Sequence, residues 1–205
     1  MKKSFFQKTY NTISNFLLLS LLSLSLSFSV HIITQTIKEV NIPSLTNRLA
    51  LLQSNLETFS HYANILSLVL VIGAGLLFSA EITKRFISDS PLNYFKSVYQ
   101  TIRLRQFLRQ DENSEPVISV DNHTAVTKFN PIIKSFNQTI SKCTVDVRKE
   151  TVTVLLKYPK TQQAQRLFKE MEAHIKEEIA SRNPNYYFSS PKREGNKLWF
   201  TASRR

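Results

Sequence analysis

Two long uncharged runs interrupt a chain that is otherwise polar and basic. Residues 16–33 read FLLLSLLSLSLSFSVHII and residues 62–80 read YANILSLVLVIGAGLLFSA. A helix needs about 20 apolar residues to cross about 30 Å of hydrocarbon. The pattern therefore predicts transmembrane helices over residues 16–37 and 62–80. Part of the first run, residues 22–29, alternates apolar residues with serine, which is a strand period. Its length and the unbroken leucines before it favour a helix, and serine hydroxyls can bond back to the helix's own carbonyls.

Outside the runs the periodicity changes. Ser44 can cap a helix in which Leu45, Leu49, Leu52, Leu56 and Phe59 fall on one stripe, which makes residues 38–61 an amphipathic connection. That helix either lies on the outer membrane surface or runs straight into the second span, or else it offers a dimer contact or a partner site outside the cell. Residues 81–110 form a second amphipathic element, with Asp89 or Ser90 as cap, Pro91 in its first turn, and Leu92, Phe95, Tyr99, Ile102 and Gln106 at helical spacing. A turn-rich linker over residues 111–127, with His123 in it, leads to a domain over residues 128–205 that Phe129, Asn130 and Pro131 open.

In that domain residues 139–148 and 151–158 read as a β-hairpin, with Cys143, Val145 and Val147 on the core face and Ile140, Lys142, Thr144, Asp146 and Arg148 opposite. Thr161 caps a helix over residues 161–182 whose buried stripe is Ala164, Leu167, Phe168, Met171, Ile175 and Ile179. Residues 186–189 and 198–202 are two more strands. The expected fold class is a membrane α-helical hairpin followed by a small cytoplasmic α+β domain in β-β-α-β-β order.

Charge orients this picture. The 205 residues carry 27 Lys+Arg against 15 Asp+Glu, a net of +12. Basic residues number three before the first span, two between the spans (Lys38, Arg48) and six in residues 81–110. Since Lys and Arg stay on the cytoplasmic side, both ends are expected inside, including a basic N-terminus over residues 1–15. The basic start and the small residues Ser27 and Ser29 also fit a cleaved signal peptide. In either case the second span ends inside.

Composition removes several classes of chemistry. With only Gly73, Gly75 and Gly195, neither a Walker loop nor a dinucleotide fingerprint can form. Cys143 is the one cysteine, which excludes an internal disulfide and a Cys-rich zinc site, and the four histidines lack ligand spacing. No catalytic residue, cofactor or metal is expected, and Cys143 reads as a small core residue.

Two binding surfaces remain. Lys84, Arg85, Arg103, Arg105 and Arg109 beside the second span suit anionic lipid. Residues 116–205 carry sixteen basic and eight acidic groups, and Lys192, Arg193, Lys197, Arg204 and Arg205 are interleaved with Trp199 and other aromatics near the C-terminus. Basic groups hold phosphates and aromatics stack on bases, a combination suited to single-stranded nucleic acid. Trp199 shares a strand face with Lys197 and Thr201 and is expected to be exposed. Gly75 and Ser79, a small-x3-small pair, offer a helix-packing face for a homo-oligomer.

The order of parts resembles a known family. Two close N-terminal spans, a basic helix with Arg103-x-Arg105-Gln106, an acidic linker, Phe129-x-Pro131, a β-hairpin and an amphipathic helix are similar to the membrane-anchoring N-terminal region of FtsK/SpoIIIE-type DNA translocases and conjugative-element coupling proteins. The motor's Walker loop has no counterpart in these residues. The resemblance thus implies an anchored accessory of DNA transfer or maintenance of a plasmid or other mobile element, acting with a DNA-translocating ATPase in trans. The alternative is a membrane scaffold whose basic surface serves anionic lipid and protein partners alone.

Overall fold

The computed structural model describes residues 1–39, 46–111 and 130–205. Ser44, Leu45, His123, Phe129 and most of the expected linker lie outside them. The chain forms two units, one of residues Lys8–Thr83 and one of Met1–Gln7 together with Lys84–Arg205.

The first unit is a pair of helices. α1 spans Phe5–Glu39 and α2 spans Thr46–Ser88, and both are long and apolar enough to cross a bilayer. The serine-alternating stretch is helical throughout. Along α1 the covered positions Thr9, Ile13, Phe16, Ser20, Ser23, Ser27, Val30 and Thr34 follow alternating spacings of three and four. On α2, Ser60, Ala63, Ser67, Leu70, Ala74 and Leu77 do the same. This is the seam of a coiled-coil-like pair, in which small and hydroxyl residues outnumber large apolar ones.

Ser23 Oγ donates to the Ala63 carbonyl at 2.7 Å, Ser27 Oγ to the Ser60 carbonyl at 3.2 Å, and Ser67 Oγ to the Ser20 carbonyl at 3.2 Å. A Cβ on Gly73 would sit 3.3 Å from the Phe16 ring, so that glycine serves close approach. Most of the leucines, isoleucines and valines of the two runs point outward instead. A soluble core packs the other way round; polar contacts inside and apolar side chains outside are the arrangement that lipid favours. Over the described part of the 38–61 connection, α2 starts at Thr46 and continues into the apolar run.

The second unit is a five-stranded antiparallel sheet with helices on it. Its elements are α3 Leu92–Leu108, α4 Pro131–Ile140, β1 Thr144–Val147, β2 Thr151–Lys157, α5 Gln162–Glu170, α6 Glu172–Arg182, β3 Tyr186–Phe188, β4 Lys192–Glu194 and β5 Lys197–Arg204. The strand order is β1-β2-β5-β3, with β4 also paired to β5. Val145, Val147, Val152, Val154, Leu156, Leu198 and Phe200 face a core completed by Phe136, Phe168, Ile175 and Ile179 from the helices. Cys143 is buried there, as alternation predicts.

Three details differ from the sequence pattern. The expected first strand gives up its start to α4, because the Asn130 side chain accepts from the Ile132 and Ile133 amides at 3.0 and 3.4 Å and Pro131 fits the first turn. The expected single helix is two, broken at Met171. A short β4 joins β5 through a tight turn in which Gly195 has φ of +61°, a conformation that favours glycine.

The other sheet face is not solvent. Thr144, Asp146, Leu155 and Trp199 on it are all buried. Residues Met1–Gln7 run on this side: the terminal amine pairs with Glu194, and Gln7 Nε2 donates to the Thr153 carbonyl at 3.2 Å. Since Lys197 and Glu194 pair across β4–β5 and Leu155 pairs with Trp199, the line between those two anchors crosses the Leu155–Trp199 strip.

Candidate lipid-facing helix and basic surfaces

β1 is an edge strand, and an open edge leaves amides and carbonyls unpaired. Side chains from α3 close it. Val147 N–H donates to Ser97 Oγ at 2.9 Å and Val145 N–H to Thr101 Oγ1 at 2.9 Å, while Arg105 donates to the Cys143 carbonyl from Nε at 3.0 Å. The spacing is geometric. Four residues of helix rise about 6 Å and two residues of strand about 6.6 Å, so Ser97, Thr101 and Arg105 meet alternate residues of an antiparallel strand.

Sealing β1 fixes which way α3 faces. Its buried residues are Asn93, Tyr94, Ser97, Thr101, Leu104 and Leu108. At 100° per residue the opposite side carries Leu92, Phe95, Tyr99 and Ile102, which are 69%, 60%, 55% and 45% exposed. The stripe found in the sequence is real, and it is the outward face. Phe86 and Ile87, at the end of α2, are exposed as well. Lys96 and Arg103 border the stripe, and Arg103 lies over Tyr99, with Nε donating to the hydroxyl at 3.2 Å. That guanidinium holds the Tyr99 phenol below its ordinary pKa.

The five basic residues expected on lipid divide. Lys84, Arg103 and Arg109 are exposed, with Lys84 Nζ 3.8 Å above the Phe5 ring. Arg105 is partly buried and its guanidinium is committed to the Cys143 carbonyl. Arg85 is 0% exposed and does not face lipid. Its guanidinium donates to Asp146 at 2.5 Å and to the Val147 carbonyl at 3.0 Å, lies 3.6 Å from Asp89, and sits against the Phe6 and Tyr94 rings. A buried charge must be paired, and Asp146, on the face of β1 opposite the core, is its partner.

The C-terminal basic residues do not converge. Lys192 and Arg193 are exposed on β4, Lys197 is partly covered, and Arg204 and Arg205 are exposed at the far end of β5. Lys197 and Arg204 are seven steps apart along the strand, about 23 Å. Arg193 stacks on Tyr158 with its guanidinium carbon 3.9 Å from the ring centroid. Trp199 corrects the expectation of an exposed stacking platform: it is 1% exposed. Alternation places it on the predicted face, and that face is covered. Tyr187, one of the aromatics that the sequence interleaves with these basic residues, is the exposed one there.

Gly75 and Ser79 are exposed, and a Cβ on Gly75 would meet nothing within 4 Å. The chain's own helix seam uses the Ser60, Ala63 and Ser67 side of α2 instead. Among the described residues no group of three or more His, Cys, Asp or Glu could hold a metal. Burial pushes the Cys143 thiol up to about 11, the opposite of a nucleophile's requirement. No family model matches the chain, and no curated protein matches it either.

Proposed function

We propose that the protein is a non-catalytic membrane-anchored binding protein whose α+β domain rests on an anionic membrane surface through the outer stripe of α3. The observation that carries this reading is the exposure of Leu92, Phe95, Tyr99 and Ile102 on the side opposite the one that seals β1. Three residues, Asp89 to Pro91, separate α2 from α3, so the stripe begins close to where the apolar helix ends. Burying one such side chain fully contributes roughly 1.5–3 kcal/mol, and Lys96 and Arg103 add attraction to anionic headgroups. The excess of Lys and Arg after the second span supports a cytoplasmic position for this surface.

The test uses the full chain in nanodiscs of phosphatidylcholine and phosphatidylglycerol. Ile102→Cys should react with a water-soluble maleimide at least tenfold more slowly than Lys169→Cys on α5; equal rates overturn the reading. Cys143 can stay in place because it is buried.

A second reading keeps DNA, or a DNA-handling complex with a translocating ATPase, as the partner of the domain. The exposed Lys192, Arg193 and Tyr187 favour it. It predicts that the full chain in phosphatidylcholine nanodiscs binds single-stranded DNA with a steep salt dependence, weakened by Lys192→Gln with Arg193→Gln. Absence of binding at low salt overturns it. Association of two copies through Gly75 and Ser79 belongs with either reading.

A further inference from the structure

A cationic cleft lies between the α3 stripe and the far end of β5. A depression of about 610 Å³ opens beside α3, walled by α3, the β1–β2 turn, the end of α6 and the end of β5. Lys96, Lys149, Arg182 and Arg204 all line it, one from each of those four elements, and no carboxylate does. Like charges gathered from four separate elements repel one another, so the arrangement calls for an anion.

Neighbouring carboxylates answer only part of this charge, and Lys96, Lys149 and Arg204 are left facing the cleft. Asp89 is turned inward, accepting from the Lys149 amide at 2.8 Å and lying against Arg85. Glu178 pairs with Arg182 alone. The wall is otherwise polar. Asn183 and Gln100 lock each other through paired amide hydrogen bonds of 2.8 and 3.0 Å, and the Tyr186 hydroxyl donates to the Arg148 carbonyl at 2.8 Å. These bonds hold the cleft's shape without spending its cations.

We propose that this depression binds the phosphate of an anionic lipid headgroup. Lys96 belongs to both structures: it lines the cleft and borders the stripe of Leu92, Phe95 and Tyr99 on the same helix. A lipid whose acyl chains run along that stripe brings its phosphate to Lys96, with Lys149 and Arg204 closing from the sheet. The proposal rests on the stripe facing lipid and deepens that reading by naming what the domain recognises there.

The test titrates dihexanoyl phosphatidylglycerol into the full chain in a neutral detergent, with dihexanoyl phosphatidylcholine and sodium phosphate as comparison arms. The expected result is saturable binding of the phosphatidylglycerol that weakens with salt, is at least tenfold weaker in Lys149→Gln with Arg204→Gln, and is unchanged in Lys192→Gln with Arg193→Gln. Lys149→Arg with Arg204→Lys should keep most of the affinity, and an unchanged Cys143 labelling rate shows that the variants fold. Equal binding of phosphatidylcholine overturns the proposal, as does an equal loss in the Lys192/Arg193 variant. Sodium phosphate binding as tightly as the lipid overturns the lipid source and leaves a soluble phosphate as ligand. Maleimide protection of Ile102→Cys reads the stripe separately, so failure of the cleft and failure of the membrane reading give different results.

Discussion

Replacing Thr101 by valine tests the contact that orients α3. Thr101 is fully buried, and its hydroxyl accepts from the Val145 amide at 2.9 Å and reaches the Val145 carbonyl at 3.3 Å. Valine keeps the shape and has a similar helix propensity, so the substitution isolates the hydrogen bond. A buried amide left without a partner costs about 1–3 kcal/mol. At about 1.4 kcal/mol per factor of ten, the population in which α3 lifts off β1 should rise about 5- to 150-fold.

Cys143 reports that opening. It lies in the core just before β1, its carbonyl is held by Arg105, and its thiol is sealed from solvent. When reclosing is fast, the labelling rate follows the open population. An aromatic disulfide reagent applied to the full chain in detergent should therefore react with Thr101→Val faster by that factor, and with Ser97→Ala by a similar one. The control is Thr144→Val. The Thr144 hydroxyl is buried with no hydrogen-bond partner, and removing it should leave the rate unchanged or lower it. A change below twofold in Thr101→Val, or an equal increase in Thr144→Val, would refute the edge-sealing account.

Three further outcomes follow from the same geometry. Arg85→Met should destabilise the domain by about 3–5 kcal/mol, because Asp146 and Asp89 lose a buried cation; adding Asp146→Asn should recover part of the loss in urea unfolding, and a cost under 1 kcal/mol for the single variant would contradict the pairing. The Cys143 thiol ionises at about 11 in the folded chain against an ordinary 9, so the folded state holds the proton longer and stability must fall as pH rises from about 9 to about 11. That loss amounts to about 2–3 kcal/mol, and unfolding of Cys143→Ala at pH 8 and pH 10.5 should lack that part of the slope. Gly195→Ala should cost about 1–2 kcal/mol, all of it backbone strain, because the added Cβ meets nothing within 4 Å.

Periodicity reached some of these features and missed others for identifiable reasons. The alternation at Cys143, Val145 and Val147 is legible because burial there is apolar, and the long runs are legible because they carry no charge. The outward stripe of α3 was legible too, but its buried face was not. Ser97 and Thr101 look like solvent residues until an edge strand needs their hydroxyls, and only their four-residue spacing with Arg105 hints at it. Arg85 was misplaced for a related reason: its partner Asp146 is 61 residues away, and nothing local announces the pair. Alternation gives Trp199 its strand face, but not that residues Met1–Gln7, anchored at Glu194 and Thr153, run on that side of the sheet. The anion-binding cleft was out of reach for the same reason, since Lys96, Lys149, Arg182 and Arg204 are gathered only by the fold.

The most direct test of the account is a spin-label scan of α3 in the full chain, reconstituted in liposomes of phosphatidylcholine and phosphatidylglycerol. Labels at positions 92, 95, 99 and 102 should show high oxygen and low aqueous-nickel accessibility, with Lys169→Cys on α5 as the aqueous reference. If all four positions are as accessible to nickel as position 169, α3 faces water and the membrane-surface account fails.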